Sequence, residues 1–159
     1  TVGNRGICAT VLFSGAALSD SPVGLAAYIL EKYSTATNID YRSLPDGGLT
    51  RRFTMDELLT IVSIYWFNGN VANSLRYYKE HFRNPFKLFS LNRYISVPTG
   101  YAAFPKDLMR QPKEVIEMMF NLTSYTEMES GAHFVALEVP KLLADDLIKF
   151  VKTIPELIT

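Results

Sequence analysis

Apolar positions recur with a helical period through the first half of the chain and give way to short β-branched runs in the second. Within Asp20-Ser21-Pro22 a capping side chain precedes a proline that suits the first turn of a helix, where its missing N–H costs nothing. Val23, Ala26, Ala27, Ile29, Leu30 and Tyr33 then follow at helical spacing, which predicts a helix of about three turns. Asn38 to Arg52 is polar and holds Pro45-Asp46-Gly47-Gly48, whose glycines tolerate positive φ, so it reads as an exposed loop. Thr54-Met55-Asp56-Glu57 has the spacing of a capping box and predicts a helix start, with Leu58, Leu59, Ile61, Val62 and Tyr65 as its apolar face. Asn68-Gly69-Asn70 ends that helix, and another runs from about Val71 to Phe82 with Val71, Leu75, Tyr78 and Phe82 on one face. Tyr78 therefore points with the apolar residues, whereas Tyr77 is turned about 100° away.

After Pro85 the pattern changes. Tyr94-Ile95-Ser96-Val97 reads as a strand ending at Pro98-Thr99-Gly100, followed by a loop with Phe104-Pro105-Lys106-Asp107. Pro112 opens a helix with Val115, Ile116 and Met119 inward. Leu122 to Met128 reads as a second strand ending at Ser130-Gly131-Ala132-His133, and Pro140 starts a last helix with Leu143, Leu147, Phe150 and Val151 on one face. Strand, helix, strand, helix is the α/β rhythm and implies a parallel pair with a right-handed crossover.

Composition narrows the function classes. At 159 residues with 48% apolar positions, one core is expected. Sixteen basic side chains balance sixteen acidic ones, so no global positive field exists to hold a polyphosphate and nucleic acid is excluded as a partner. Cys8 is the sole cysteine, which excludes an intrachain disulfide and a thiolate zinc cage; it reads as a small buried hydrophobe. The run from Ile7 to Leu18, broken by Thr10, Ser14 and Gly15, falls short of the roughly 18 apolar residues a membrane span needs. The chain opens on Thr1 with only Arg5 ahead of that run. A secretory signal is thus poorly supported, and the chain reads as an internal or C-terminal piece of something longer.

In a parallel α/β sheet, functional groups collect in the loops beyond the carboxyl ends of strands. Two such loops carry Asp107 and His133. A neutral His deprotonates water when a carboxylate fixes its tautomer and stabilises the imidazolium, and a neighbouring strand loop can supply that carboxylate. A His beside a glycine turn is as readily a structural or solvated residue, and spacing alone does not show that the two meet. Other chemistry competes poorly. His81 and His133 are the only histidines and stand too far apart for a helical metal motif. Gly47-Gly48 lacks the strand, helix and spacing of a phosphate loop, and no Gly-x-Ser-x-Gly type elbow, with Ser, Cys or Asp at its centre, occurs.

The stretches LSDSPVGLAAYILEKYST (18–35), DGGLTRRFTMDELL (46–59), YYKE (77–80), VPTGYAAFPKDL (97–108) and GAHFVALEVPKLLADD (131–146) cover most of the chain from about Ala17 onward. Together they resemble the microsomal epoxide hydrolases, a family that includes the juvenile hormone epoxide hydrolases of arthropods. The resemblance implies an α/β-hydrolase fold of which this chain holds the C-terminal part with the rear of a helical lid. On that reading residues 17–92 are lid and 93–159 are core, while 1–16 is atypical, with Asn4 to about Ala16 having no counterpart.

The resemblance further implies a two-step reaction in which a carboxylate nucleophile opens the epoxide as an ester, and a His-activated water then hydrolyses the ester. His133 matches the general base in the family's Gly-Gly-His-Phe motif, with Ala132 in place of the second glycine. Asp107 matches the charge-relay acid, commonly Glu in close relatives and here one methylene shorter. Tyr78 falls on the lid tyrosine that hydrogen-bonds the epoxide oxygen. The family's nucleophilic Asp, oxyanion loop, second lid tyrosine and membrane anchor precede Thr1 in the family order, so the isolated chain is expected to be inactive. Membrane association is expected only through that upstream region, at the endoplasmic reticulum. The resemblance implies no cofactor and no metal, and the partner it implies is a small apolar epoxide. Two other readings are a non-catalytic relative binding an apolar ligand through Trp66, Tyr78 and Phe82, and a dehalogenase. Joint retention of Asp107, His133 and Tyr78 disfavours the first, and a tyrosine rather than indole donors disfavours the second.

Overall fold

A computed structural model describes residues 14–82 and 94–154. Cys8 and most of the atypical 1–16 segment lie outside the described residues, as does the boundary expected at 92/93. Where composition predicts one core, the chain divides into two compact units. One is built from the described residues up to Lys32 and from Thr54 through the helix ending at Phe82; the other joins Tyr33–Phe53 to the residues from 94 onward.

The first unit is helical. Residues 14–20 form helical turns that break at Ser21, whose Oγ accepts the N–H of Gly24 at 3.1 Å and so caps the next helix. That helix, α1 (Pro22–Thr37), is 16 residues long and outruns the three turns predicted; its last turn belongs to the second unit. Thr54 starts α2 (Met55–Asn68) with a complete capping box: its hydroxyl accepts the Glu57 N–H at 3.2 Å, and the Glu57 carboxylate accepts the Thr54 N–H at 2.8 Å. Hydrogen bonds from the Thr54 backbone and side chain hold the Glu57 carboxyl below its ordinary range. Gly69 in the left-handed conformation ends α2, and α3 (Val71–Phe82) follows with its predicted bounds.

Leu18, Leu25, Val62, Val71 and Leu75 form the core of this unit, with Ile29, Leu30, Tyr65 and Trp66 packed against it. Leu25 is fully buried, worth about 1.5 to 3 kcal/mol of transfer free energy. Val23, expected on the apolar face, is 76% exposed. Two residues from Leu25 on a helix is a turn of about 200°, which sends Val23 to the opposite side.

The second unit carries a two-stranded sheet. β1 (Ile95–Ala103) pairs in parallel with β2 (Phe120–Glu127), as the α/β rhythm predicts, with Thr99 opposite Leu122 and Tyr101 opposite Tyr125. β1 continues through Pro98 and Gly100, where the sequence reads a stop. Pro98 sits beside one of two register shifts, the irregularity that admits a proline into a strand. α4 (Lys113–Met119) runs into β2 without a loop, so the strand starts two residues earlier than predicted. Ile116 is its buried residue, whereas Val115 and Met119 face outward. A one-turn helix, α5 (Val135–Glu138), which the sequence reading does not contain, precedes α6 (Pro140–Val151). A Cβ at Gly100 would lie 2.9 Å from the Phe150 ring, so α6 approaches β1 at the one position in that strand without a side chain.

Candidate functional site

The carboxyl ends of the two strands lie side by side because Met128, just past β2, donates its N–H to the carbonyl of Ala103, the last residue of β1, at 3.0 Å. From there the two loops stay tied, with the Lys106 N–H donating to the Gly131 carbonyl at 3.3 Å. Gly131 has φ +111°, and a Cβ there would meet the ring of buried Phe104 and the Val139 side chain at 2.8 Å. Only glycine makes that bend cheaply. Ala132, which follows, is buried and has no positive φ, so the motif position that departs from Gly-Gly is the one with no conformational need for glycine.

The bend delivers His133 beside Asp107. His133 Nδ1 and Asp107 Oδ1 are 3.2 Å apart, at the long end of a hydrogen bond, so the shorter carboxylate does reach. An ionised carboxylate only accepts; the pair therefore selects the Nδ1–H tautomer and leaves the Nε2 lone pair for a substrate-side proton. The His133 side chain is about half exposed (51%) and that of Asp107 one third (33%), so water has access to the ring. The backbone N–H of His133 donates to the Ala36 carbonyl at 3.4 Å. Next to it, Phe134 stacks on Tyr33 with centroids 3.8 Å apart and meets the imidazole edge-on at 5.2 Å.

Sequence reasoning misses Glu138. It is 9% exposed, and its Oε1 accepts the Phe134 N–H at 3.0 Å. Burial pushes its carboxyl above the ordinary range, against the pull of the Phe134 N–H, the Arg52 guanidinium and the Ala132 N–H, while the Asp107 charge adds to the rise. Arg52 also donates to Ser130 Oγ at 3.1 Å. The available signal was a lone carboxylate inside the apolar run Val135 to Val139.

Tyr78 belongs to the helical unit and takes no part in this hydrogen-bonded pair. It is 58% exposed and Tyr77 72%, so the inward-outward contrast predicted for the two is small. The α3 face is buried at Val71 and Leu75 and is open by the time it reaches Tyr78. Among the described residues no group of three His, Cys, Asp or Glu is placed to hold a metal ion. An open hollow near α4, crossed by the Arg110–Glu127 ion pair at 2.9 Å, includes neither Asp107 nor His133.

No protein-family model matches the chain. Over 139 residues it is 50% identical to epoxide hydrolase 1 of Oryctolagus cuniculus, covering 86% of this chain and 30% of that protein. It is 39% identical over 137 residues to the juvenile hormone epoxide hydrolase of Bombyx mori, covering 85% of this chain and 30% of that protein. The crystal structure of juvenile hormone epoxide hydrolase from Bombyx mori superposes with a TM-score of 0.88 at 35% identity, over 98% of this chain and 37% of that one. The Aspergillus niger epoxide hydrolase gives 0.68 at 32% identity, over 88% and 32%. The chain thus spans about 30% of the length of the curated relatives it matches. With its parallel strands and the loops beyond them, the chain belongs to the epoxide hydrolase family and represents a C-terminal part of that family's α/β-hydrolase fold.

Proposed function

We propose that these residues supply the water-activating half of an epoxide hydrolase, which converts a small apolar epoxide and water to a vicinal diol. The single observation that carries the reading is the Asp107–His133 contact of 3.2 Å at the adjoining ends of two parallel strands. Its nucleophile would come from outside the 159 residues, since they hold no Gly-x-Asp-x-Gly elbow. In the first step that carboxylate oxygen attacks an epoxide carbon. The carbon–oxygen bond breaks, and Tyr78 gives a hydrogen bond, then a proton, to the oxygen that leaves. In the second step His133 Nε2 takes a proton from water as the water attacks the ester carbonyl. The bond between the ester carbonyl carbon and the diol oxygen then breaks, the diol leaves with the proton of the new carboxyl group, and the nucleophile is a carboxylate again; Asp107 holds the imidazolium through Nδ1–H until its proton returns, through water, to the Tyr78 phenolate. Residues 17–92 would act as the rear of a lid and 93–159 as core, at the endoplasmic reticulum membrane. The anchor in this reading is the upstream one that the resemblance implies; no helix among the described residues is long and apolar enough to cross a bilayer.

The test uses a longer form carrying an elbow upstream of these residues. In H133Q the ester should form and persist, seen as protein plus substrate mass, with diol release slowed by roughly 100-fold or more. Diol release at the parent rate would overturn the assignment. The 159-residue chain alone should give no diol above a protein-free control.

A further inference from the structure

We propose that Glu138 is a positioning residue for His133, its buried carboxylate gripping the main chain at the residue after the histidine and thereby fixing the ring against Asp107. Glu138 closes the single turn of α5, and its Oε1 reaches back to the N–H of Phe134, the residue after His133, at 3.0 Å. An amide next to the histidine, held by a buried rigid planar group, restricts the φ and ψ that aim the imidazole. The backbone geometry around His133 needs such a hold. Gly131 bends the chain at φ +111° immediately upstream, and the bond from the His133 N–H to Ala36 is long at 3.4 Å.

A carboxylate that is 9% exposed is an expensive way to cap one helical turn, because desolvation opposes the charge. The surroundings offset that cost on one side only. Arg52 and the Phe134 amide favour the charged form, whereas Asp107 opposes it. The carboxylate thus lies within the field of the same Asp107 that pairs with His133, and the three groups act on one loop. This inference deepens the reading of His133 as general base. Its test reads the imidazole itself, so it stands or falls separately from whether a longer form opens epoxides.

The experiment is ¹⁵N nuclear magnetic resonance of the His133 ring in the full 159-residue chain, comparing the parent with E138Q and E138D. The amide oxygen of Gln still accepts from Phe134, so E138Q should keep the Nδ1–H tautomer of the parent. Asp is one methylene shorter and loses its reach to the Phe134 amide. E138D should therefore lower the ratio of the Nδ1–H to the Nε2–H tautomer roughly three- to tenfold, the effect of losing one hydrogen bond of ordinary net strength. Both variants are conservative, and dispersed amide spectra verify their folds. A tautomer ratio in E138D equal to the parent would overturn the proposal, leaving Glu138 a helix cap. Equal shifts in E138D and E138Q would overturn it too.

Discussion

Replacing Gly131 by Ala isolates what the bend before His133 costs any other residue. At φ +111° an L side chain is strained by about 1 to 3 kcal/mol. The added methyl would also lie 2.8 Å from Phe104 Cδ1 and 2.8 Å from Val139 Cγ2, and Phe104 is only 5% exposed, so its ring must shift within a buried site. Overpacking of this kind costs about 1 to 3 kcal/mol. The two together predict a loss of about 2 to 5 kcal/mol, a large share of the roughly 5 to 15 kcal/mol that a folded protein has in total. Urea unfolding followed by far-ultraviolet circular dichroism gives the number, and A132G is the matched control. Ala132 has no positive φ, so A132G should cost about 0.5 to 1 kcal/mol through chain entropy, plus a buried methyl. If G131A unfolds within about 0.5 kcal/mol of the parent, or if A132G costs as much as G131A, the strained bend is not what holds this loop.

L25A should lose about 2 to 5 kcal/mol by emptying the fully buried site in the helical unit, and a thermal midpoint unchanged from the parent would refute that core. T54A should cost about 1 kcal/mol by removing the cap of α2, measured by the same urea unfolding. The pH dependences of the two perturbed carboxylates have opposite signs. Glu57 is lowered in the fold, so its contribution is present above the ordinary Glu range and is lost as pH falls through the folded value. Glu138 is raised, so between its ordinary value and its folded value the native state binds more protons and stability falls as pH rises; E138Q should remove that slope in pH-dependent melts. G100A should cost about 1 to 3 kcal/mol, because the Phe150 ring must move to admit a methyl, and calorimetric melting checks it.

Features that depend on a few neighbouring residues were legible. The Thr54–Glu57 box, the Gly69 stop and the bounds of α3 all follow from groups three or four positions apart, and the structure repeats them. The face of α1 was harder, because alanines on several sides leave the phase open, and packing chose Leu25 over Val23. β1 outran its predicted end, since pairing with β2 overrides the local signals of Pro98 and Gly100. Asp107 and His133 were legible as candidates through a general rule about strand ends; their contact was not, because it depends on the pairing of the two strands. Glu138 showed only as a lone carboxylate in an apolar run, a signal that tells neither whether the side chain is buried nor what it holds.

The long-range tie between His133 and Ala36 has a kinetic consequence. Bringing Asp107 to His133 closes a short crossover of 26 residues, whereas bringing the histidine's amide to Ala36 closes a loop of roughly a hundred. Closure entropy grows only logarithmically, so the longer loop costs about 1 kcal/mol more, yet that cost falls before any contact rewards it. Opening of the 33–53 segment, which carries Tyr33 and Ala36, would therefore remove the stack on Phe134 and the main-chain tie at His133 together, and closing it again would cost the longer loop.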